Sequence, residues 1–187
     1  MIPLRPLVVV SFACAAAACF GGPSRSVAAR PNTAASPAFT DANVAAVVVA
    51  ANDADISYAR IALARGTDAR VKGFAQLMIN DHTSVNRAAS DLVGKLGVTP
   101  DDNEASLDLK EDAESKRDEL LALEGWAFDS AYVANEVTYH RRVIGAIDGA
   151  LIPSARHPEL RALLTSVRPA VAAHLAHAEE LQRTLRR

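Results

Sequence analysis

The chain has 187 residues, a formal net charge of −2, and 50% hydrophobic but only 5% aromatic residues, which allows one modest domain and no second full one. Lys and Arg number 20 against 22 Asp and Glu, with no basic run beyond Arg141-Arg142 and Arg186-Arg187, so binding to a nucleic-acid backbone is excluded as the main task. Ala, Val and Leu carry the apolar fraction without long β-branched alternation, which excludes a large β-sheet protein and points to helices.

In chain order, the first element is a leader. Arg5 precedes an apolar stretch from Leu7 to Phe20, and small residues follow it. This is the three-part pattern of a secretory signal, and the stretch is shorter than the roughly 20 residues needed to span a bilayer. Two processing sites compete. Val27-Ala28-Ala29 suits a signal peptidase, giving a leader of residues 1–29, whereas Ala16-Ala17-Ala18-Cys19 resembles a bacterial lipobox in which Cys19 is acylated and tethers the protein to a membrane. Loss of Arg5 and Arg25 with the leader moves the net charge from −2 to −4. Both cysteines, Cys14 and Cys19, lie in the leader. The rest of the chain therefore has no disulfide, thiolate metal site or cysteine nucleophile.

Residues 30–39, with Pro31 and Pro37, read as a linker, and residues 40–187 as the folded domain. The first helix is expected over 41–65, with Thr40 as N-cap and Gly66 as its stop. The second is expected over 68–96, its stripe made of Val71, Ala75, Met78, Val85, Ala89, Leu92 and Leu96. Only Gly66 and Thr67 separate the two, which imposes an antiparallel hairpin. Residues 105–124 form a charged, weakly amphipathic stretch that, as a helix, reaches ~30 Å and can cross the length of a bundle. The third strong helix, 126–151, has a face of Trp126, Asp129, Val133, Glu136, Val137, His140, Ile144 and Ile147. The fourth, 158–186, has the face Leu160, Leu164, Val167, Val171, His174, Ala178, Leu181 and Leu185, with a kink expected at Pro169. The fold class is all-α, a ferritin-like four-helix bundle with an extra helical connection between its second and third helices.

The apolar stripes are interrupted by Asp55, His82, Glu136 with His140, and His174. Each lies about ten to fourteen residues from a helix end, or ~15 to 21 Å at the standard rise, so all fall in one middle layer whichever way the third helix runs. Imidazoles and carboxylates in an apolar core need partners. A transition-metal ion held by His82, His140, His174, Glu136 and Asp55 supplies them, and so does a closed Asp/Glu/His hydrogen-bond network. His177 reads as a boundary residue, His157 as solvent-facing, and Asp81 as either orienting His82 or facing water. Asp129 falls near the bundle end, where a carboxylate in the first turn of a helix is favoured. Trp126, Tyr132 and Tyr139 read as packing residues. A di-iron oxidase is disfavoured, since no Glu-x-x-His pair exists and Glu136 and His140 are four apart. The sequence carries no Gly-rich phosphate loop, nucleophile elbow or His-Glu-x-x-His, and supplies no reaction.

Several runs occur together: Asp55-Ile56 with Ile61-Ala62-Leu63-Ala64, Val71 to Met78 with Asp81-His82, Gly125 to Tyr132 with His140, and Pro169 with His174-Leu175 and Ala178. Over residues 39–185 the chain resembles the exported bacterial family called domain of unknown function 4142. That resemblance implies a ferritin-like fold and a signal peptide or lipoprotein leader. Homologues are often labelled outer membrane proteins, a label the helical pattern does not support as a β-barrel. Asp55 stands where the family usually has the longer glutamate. The expectation is an exported protein of the periplasm or cell envelope, engaged in metal handling or stress defence. The alternative is a non-catalytic structural or interaction module.

The leader reading has a direct check in mass spectrometry of the envelope form. An N-terminus at Arg30 marks the soluble route, a diacylated Cys19 marks the lipid-anchored one, and an intact Met1 refutes both.

Overall fold

Thr40 starts the first helix by a reciprocal cap: its hydroxyl accepts from the Asn43 amide N–H at 3.1 Å, and the Asn43 side chain accepts from the Thr40 N–H at 3.2 Å. The computed structural model describes residues 39–185. The leader with Cys19, the linker up to residue 38, and Arg186-Arg187 lie outside the described residues. Helix α1 (Asp41–Arg65) is followed by α2 (Ala69–Leu96), which Asp68 caps and which ends at Gly97 in the left-handed conformation, φ 66°. Helix α3 (Glu104–Leu121) opens on the side chain of Asn103, and α4 (Gly125–Ala146) follows after a short turn. A π-helical turn (Ile147–Leu151) and a three-residue α5 (Ile152–Ser154) lead into α6 (Pro158–Leu185).

The expected single helix over 126–151 thus changes character at residue 147. Pro153 has no N–H to donate to the carbonyl four residues back, so the regular ladder stops short of it, and the widened turn closes instead with the Ile152 N–H on the Ile147 carbonyl. α6 runs unbroken through Pro169.

Contacts at the helix ends fix the directions. α3 starts beside the start of α1, where the Asp101 N–H donates to the Ala42 carbonyl at 3.1 Å, and ends beside its end, where Arg65 donates to the Leu121 carbonyl at 2.8 Å. It is therefore parallel to α1 and antiparallel to α2. α4 starts at the α1/α2 turn and passes Ala51, whose carbonyl accepts from the Tyr139 hydroxyl at 2.7 Å. α6 returns, so that Trp126 Nε1 near the start of α4 donates to the Leu185 carbonyl at 3.2 Å. The four long helices α1, α2, α4 and α6 run up, down, down and up, and α3 is the crossover that lets α2 and α4 point the same way.

The core divides along the bundle axis. Tyr58, Phe74, Met78, Phe128, Tyr132 and Val133 fill one end, and Val44, Val47, Ile147, Leu151, Leu160 and Leu164 the other. α1 packs on α2, α3 and α4 and is apolar over most of its circumference, with Val44, Ala45, Ala46 and Val47 buried in succession. Trp126, expected on the core face, is 63% exposed. It sits in the first turn of α4, at the end of the bundle beside the last turn of α6. Val85, Val167, Leu92 and Ile144 are half-buried rather than central, as is Val48. His177 is exposed and meets Phe74 edge-on with ring centroids 5.0 Å apart. Among the described residues no helix is long and apolar enough to cross a membrane.

Asp129 is fully buried, and its partners lie on another helix pair rather than on its own first turn. It accepts from the Thr67 N–H at 3.0 Å, the Thr67 hydroxyl at 2.5 Å and the Asp68 N–H at 2.8 Å. It thus caps the α1/α2 hairpin from across the bundle. A Cβ at Gly66 would stand 2.6 Å from the Ala62 carbonyl and 3.2 Å from Asp129 Oδ1, so only glycine admits this approach. Asp129→Ala strips two backbone donors at the start of α2 of their acceptor, one of which water can replace. The expected cost is about 2 kcal/mol in denaturant unfolding. A loss below about 0.5 kcal/mol, the range of ordinary surface changes, would show that the cap does not hold the hairpin.

Candidate metal centre

Five side chains meet where the two halves of the core join: Asp55 from α1, His82 from α2, Glu136 and His140 from α4, and His174 from α6. All five are buried, Asp55 and Glu136 completely. The helical period places them there: the four-residue step from Glu136 to His140 keeps both on one face, and the other three lie near the middles of their helices. The imidazole centroids are 5.4 Å apart for His82 and His174, 5.4 Å for His140 and His174, and 5.8 Å for His82 and His140.

Each ring has one nitrogen engaged on the outside. His82 Nδ1 lies 2.7 Å from Asn52 Oδ1, His174 Nε2 lies 2.9 Å from Asp81 Oδ2, and His140 Nδ1 lies 2.9 Å from the backbone carbonyl of Glu136. All three partners are acceptors, so each of these nitrogens carries the proton and the opposite nitrogen carries a lone pair. The Asn52 amide is itself oriented. Its Nδ2 donates to Asn86 Oδ1 at 2.9 Å, and Asn86 Nδ2 donates to the exposed Asp53 carboxylate at 2.7 Å. A carboxylate can only accept, so the sequence of donors from His82 out to Asp53 has one direction. The second-sphere arrangement is the kind that fixes metal-ligating histidines.

The other nitrogens, His82 Nε2, His140 Nε2 and His174 Nδ1, face inward without a hydrogen-bond partner, as do both oxygens of Asp55 and of Glu136 and the hydroxyl of Tyr132. Asp55 Oδ2 lies 3.4 Å from His82 Nε2 and 3.5 Å from His140 Nε2. These distances are long for hydrogen bonds. They match two donor atoms that each stand about 2.1 Å from a common ion at a tetrahedral angle, which puts the donors about 3.4 Å apart. His82, His140 and His174 form one group able to hold an ion, and Asp55, Glu136 and His140 another, with the donor atoms in each within 4.8 Å of one another. Glu136 Oε2 is 3.5 Å from His140 Nδ1, on the side of the ring away from the converging nitrogens.

The sequence singled out all five members, but of their supports only Asp81, and that for His82 or for solvent. Asn52, one turn before Asp55 on the same face of α1, was overlooked because an amide in an Ala-rich helix carries no chemistry of its own. Asp81 orients His174 rather than the adjacent His82, because its position on α2 turns it toward α6. Asp55 comes within 3.5 Å of two histidine nitrogens despite being shorter than glutamate.

A family model described as domain of unknown function (DUF4142) matches residues 25–181. The chain belongs to this family. No curated protein and no solved structure matches it.

Burial sets the protonation of this DUF4142 centre. It pushes the Asp55 carboxyl up to about 8 and Glu136 well above the ordinary glutamate value, the latter also through repulsion from Asp55. It lowers His82 to about 3 and His140 to about 4, with further lowering from the neighbouring histidines. Without a bound ion, near neutral pH, the native centre therefore holds its protons on the carboxyls of Asp55 and Glu136 while His82 and His140 are neutral.

The stability consequence follows by linkage. Between pH 4.5 and 6.5, the ordinary glutamate and histidine values, these four groups bind two protons in the native state, on the carboxyls, and two in the unfolded state, on the histidines. The two states balance there. Above 6.5 the unfolded chain has released its histidine protons while the raised carboxyls still hold theirs, so stability falls as pH rises toward 8. Below 3.8 the unfolded chain binds all four protons, and stability falls with acid. Metal-free protein should thus melt at a lower temperature at about pH 8 than at about pH 6, with the loss reduced in Asp55→Asn/Glu136→Gln. Equal pH dependence in parent and variant would refute this protonation state.

Proposed function

We propose that this protein is an exported bundle of the periplasm or cell envelope that binds one transition-metal ion through His82, His140, His174 and Asp55, with Glu136 as the adjoining carboxylate, and acts in metal handling or stress defence. The observation that carries the reading is the gathering of three imidazole lone pairs whose tautomers are fixed from outside and none of which has a hydrogen-bond partner. Three neutral imidazoles and a carboxylate suit zinc, iron, copper or nickel better than calcium or magnesium, which prefer all-oxygen sites. Export rests on the leader pattern, and the tether at Cys19 on the lipobox-like run before it.

The rival is a closed hydrogen-bond network in a structural module. It leaves atoms over. With both carboxyls protonated, Asp55 can donate to only one of His82 and His140, while Glu136 faces the nitrogen of His140 that is already a donor. His174 Nδ1 gains nothing from either arrangement, and a partly satisfied buried network is costly.

Calorimetric melting separates the two. After loading with iron, copper, zinc or manganese in turn, a chelator should lower the melting temperature of the parent. The stabilisation removed is about 2.7 kcal/mol when free metal had been a hundred times its dissociation constant. In His140→Leu the chelator effect should shrink, since a ligand is already missing. No chelator effect with any of the four metals, together with destabilisation by His140→Leu alone, would establish the network instead.

A further inference from the structure

The histidine layer has two unlike sides. On one stand the carboxylates of Asp55 and Glu136. On the other is a cavity of about 60 Å³ whose near wall is His82, His140 and His174 and whose far end is closed by Ile147, Leu151, Leu164 and Val171. Neither carboxylate lines it. The far end is formed partly by the π-helical turn, which contributes Ile147 and Leu151 to the lining. Toward the surface the cavity is bounded by Val85 and Val167, both half-buried, the exposed Ala170, and Asp81 between α2 and α6. A void in a core is destabilising, and one larger side chain at Ala170 or Ala51 would fill it.

The space has the volume of a few water molecules, but a water needs two to four polar partners, and the polar side chains of the wall beyond the histidines are engaged elsewhere: Asn52 with His82 and Asn86, Asp81 with His174, and the Tyr139 hydroxyl with the Ala51 carbonyl. Ions are excluded more strongly, since an unpaired charge against aliphatic walls is costly to desolvate. What fits by size and polarity is an uncharged molecule of one or two heavy atoms. We propose that this cavity is a binding pocket for a neutral diatomic gas, dioxygen or nitric oxide, placed against the histidine side of the metal centre and reached from the gap between α2 and α6. This inference rests on the metal reading for its second half, while the pocket itself does not.

Xenon and nitric oxide test the two halves separately. Under xenon pressure, a crystal or a xenon NMR titration of the full chain should show one site at the histidine wall, lost in Val171→Phe. Val85→Leu, a milder filling at the rim, should weaken it if the phenylalanine variant does not fold. Iron uptake by parent and filled variant should be equal, measured by calorimetry. The ferrous protein should give the half-integer-spin EPR signal of a nitric oxide adduct, at least tenfold weaker at the same gas pressure in the filled variant. Absence of xenon from the parent, or a nitric oxide signal undiminished by filling, overturns the pocket while leaving the metal reading intact. Failure of the parent to take up iron or any other of the four metals overturns the metal reading instead, and xenon then still reports on the pocket.

Discussion

Two carboxyls and three imidazoles stand in the middle of an apolar bundle, and the cost of taking them out of water governs much of the rest. Isolated, any one of them would be driven to its neutral form or out of the core. Here burial, reinforced by repulsion between neighbouring groups, holds protons on Asp55 and Glu136 and keeps them off His82 and His140. The two apolar clusters on either side of the layer keep it in place, and the outward hydrogen bonds to Asn52, Asp81 and the Glu136 carbonyl determine which nitrogen of each ring faces inward.

Those outward bonds distinguish the centre from a chance meeting of polar residues. Asn52 and Asp81 each engage a histidine on a different helix from their own, so the α1/α2 and α2/α6 contacts are both built into ring orientation. Moving either helix by a fraction of a turn would lose the ring's acceptor and its tautomer together. The site and the packing of the bundle are therefore specified by the same contacts.

Much of this was legible in the sequence because helical periodicity reports depth as well as face. Asp55, His82, Glu136, His140 and His174 each interrupt an apolar stripe near the middle of a helix, and a bundle of aligned helices has to bring such positions together. Directions were not legible, since the layer forms whether α4 runs up or down, and the contacts of α3 with α1 and of α4 with the α1/α2 turn and with α6 resolve them. Asn52 was passed over and Asp81 was read toward His82 or solvent rather than His174, because their roles depend on which neighbour they face, and periodicity within one helix says nothing about that. Trp126 was misplaced for a related reason: it continues the stripe of α4, but beyond the point where the neighbouring helices supply a core. The π-helical turn depends on how the chain accommodates Pro153, and no stripe marks it.

The Asp129 cap has a consequence for the order in which the chain is made. The α1/α2 hairpin is local and needs only the three-residue turn Gly66-Thr67-Asp68, so it is complete once about a hundred residues have left the ribosome. Its cap lies 62 positions after Thr67, and α1 also waits for α3 and α4 to cover its remaining apolar faces. Until the second half of the chain arrives, the hairpin has an unsecured turn and an uncovered first helix, and it is exposed to aggregation if it lingers. Arrival of α4 ends that interval in one step, since the same helix brings the Asp129 cap, two members of the polar layer, and a wall of the core.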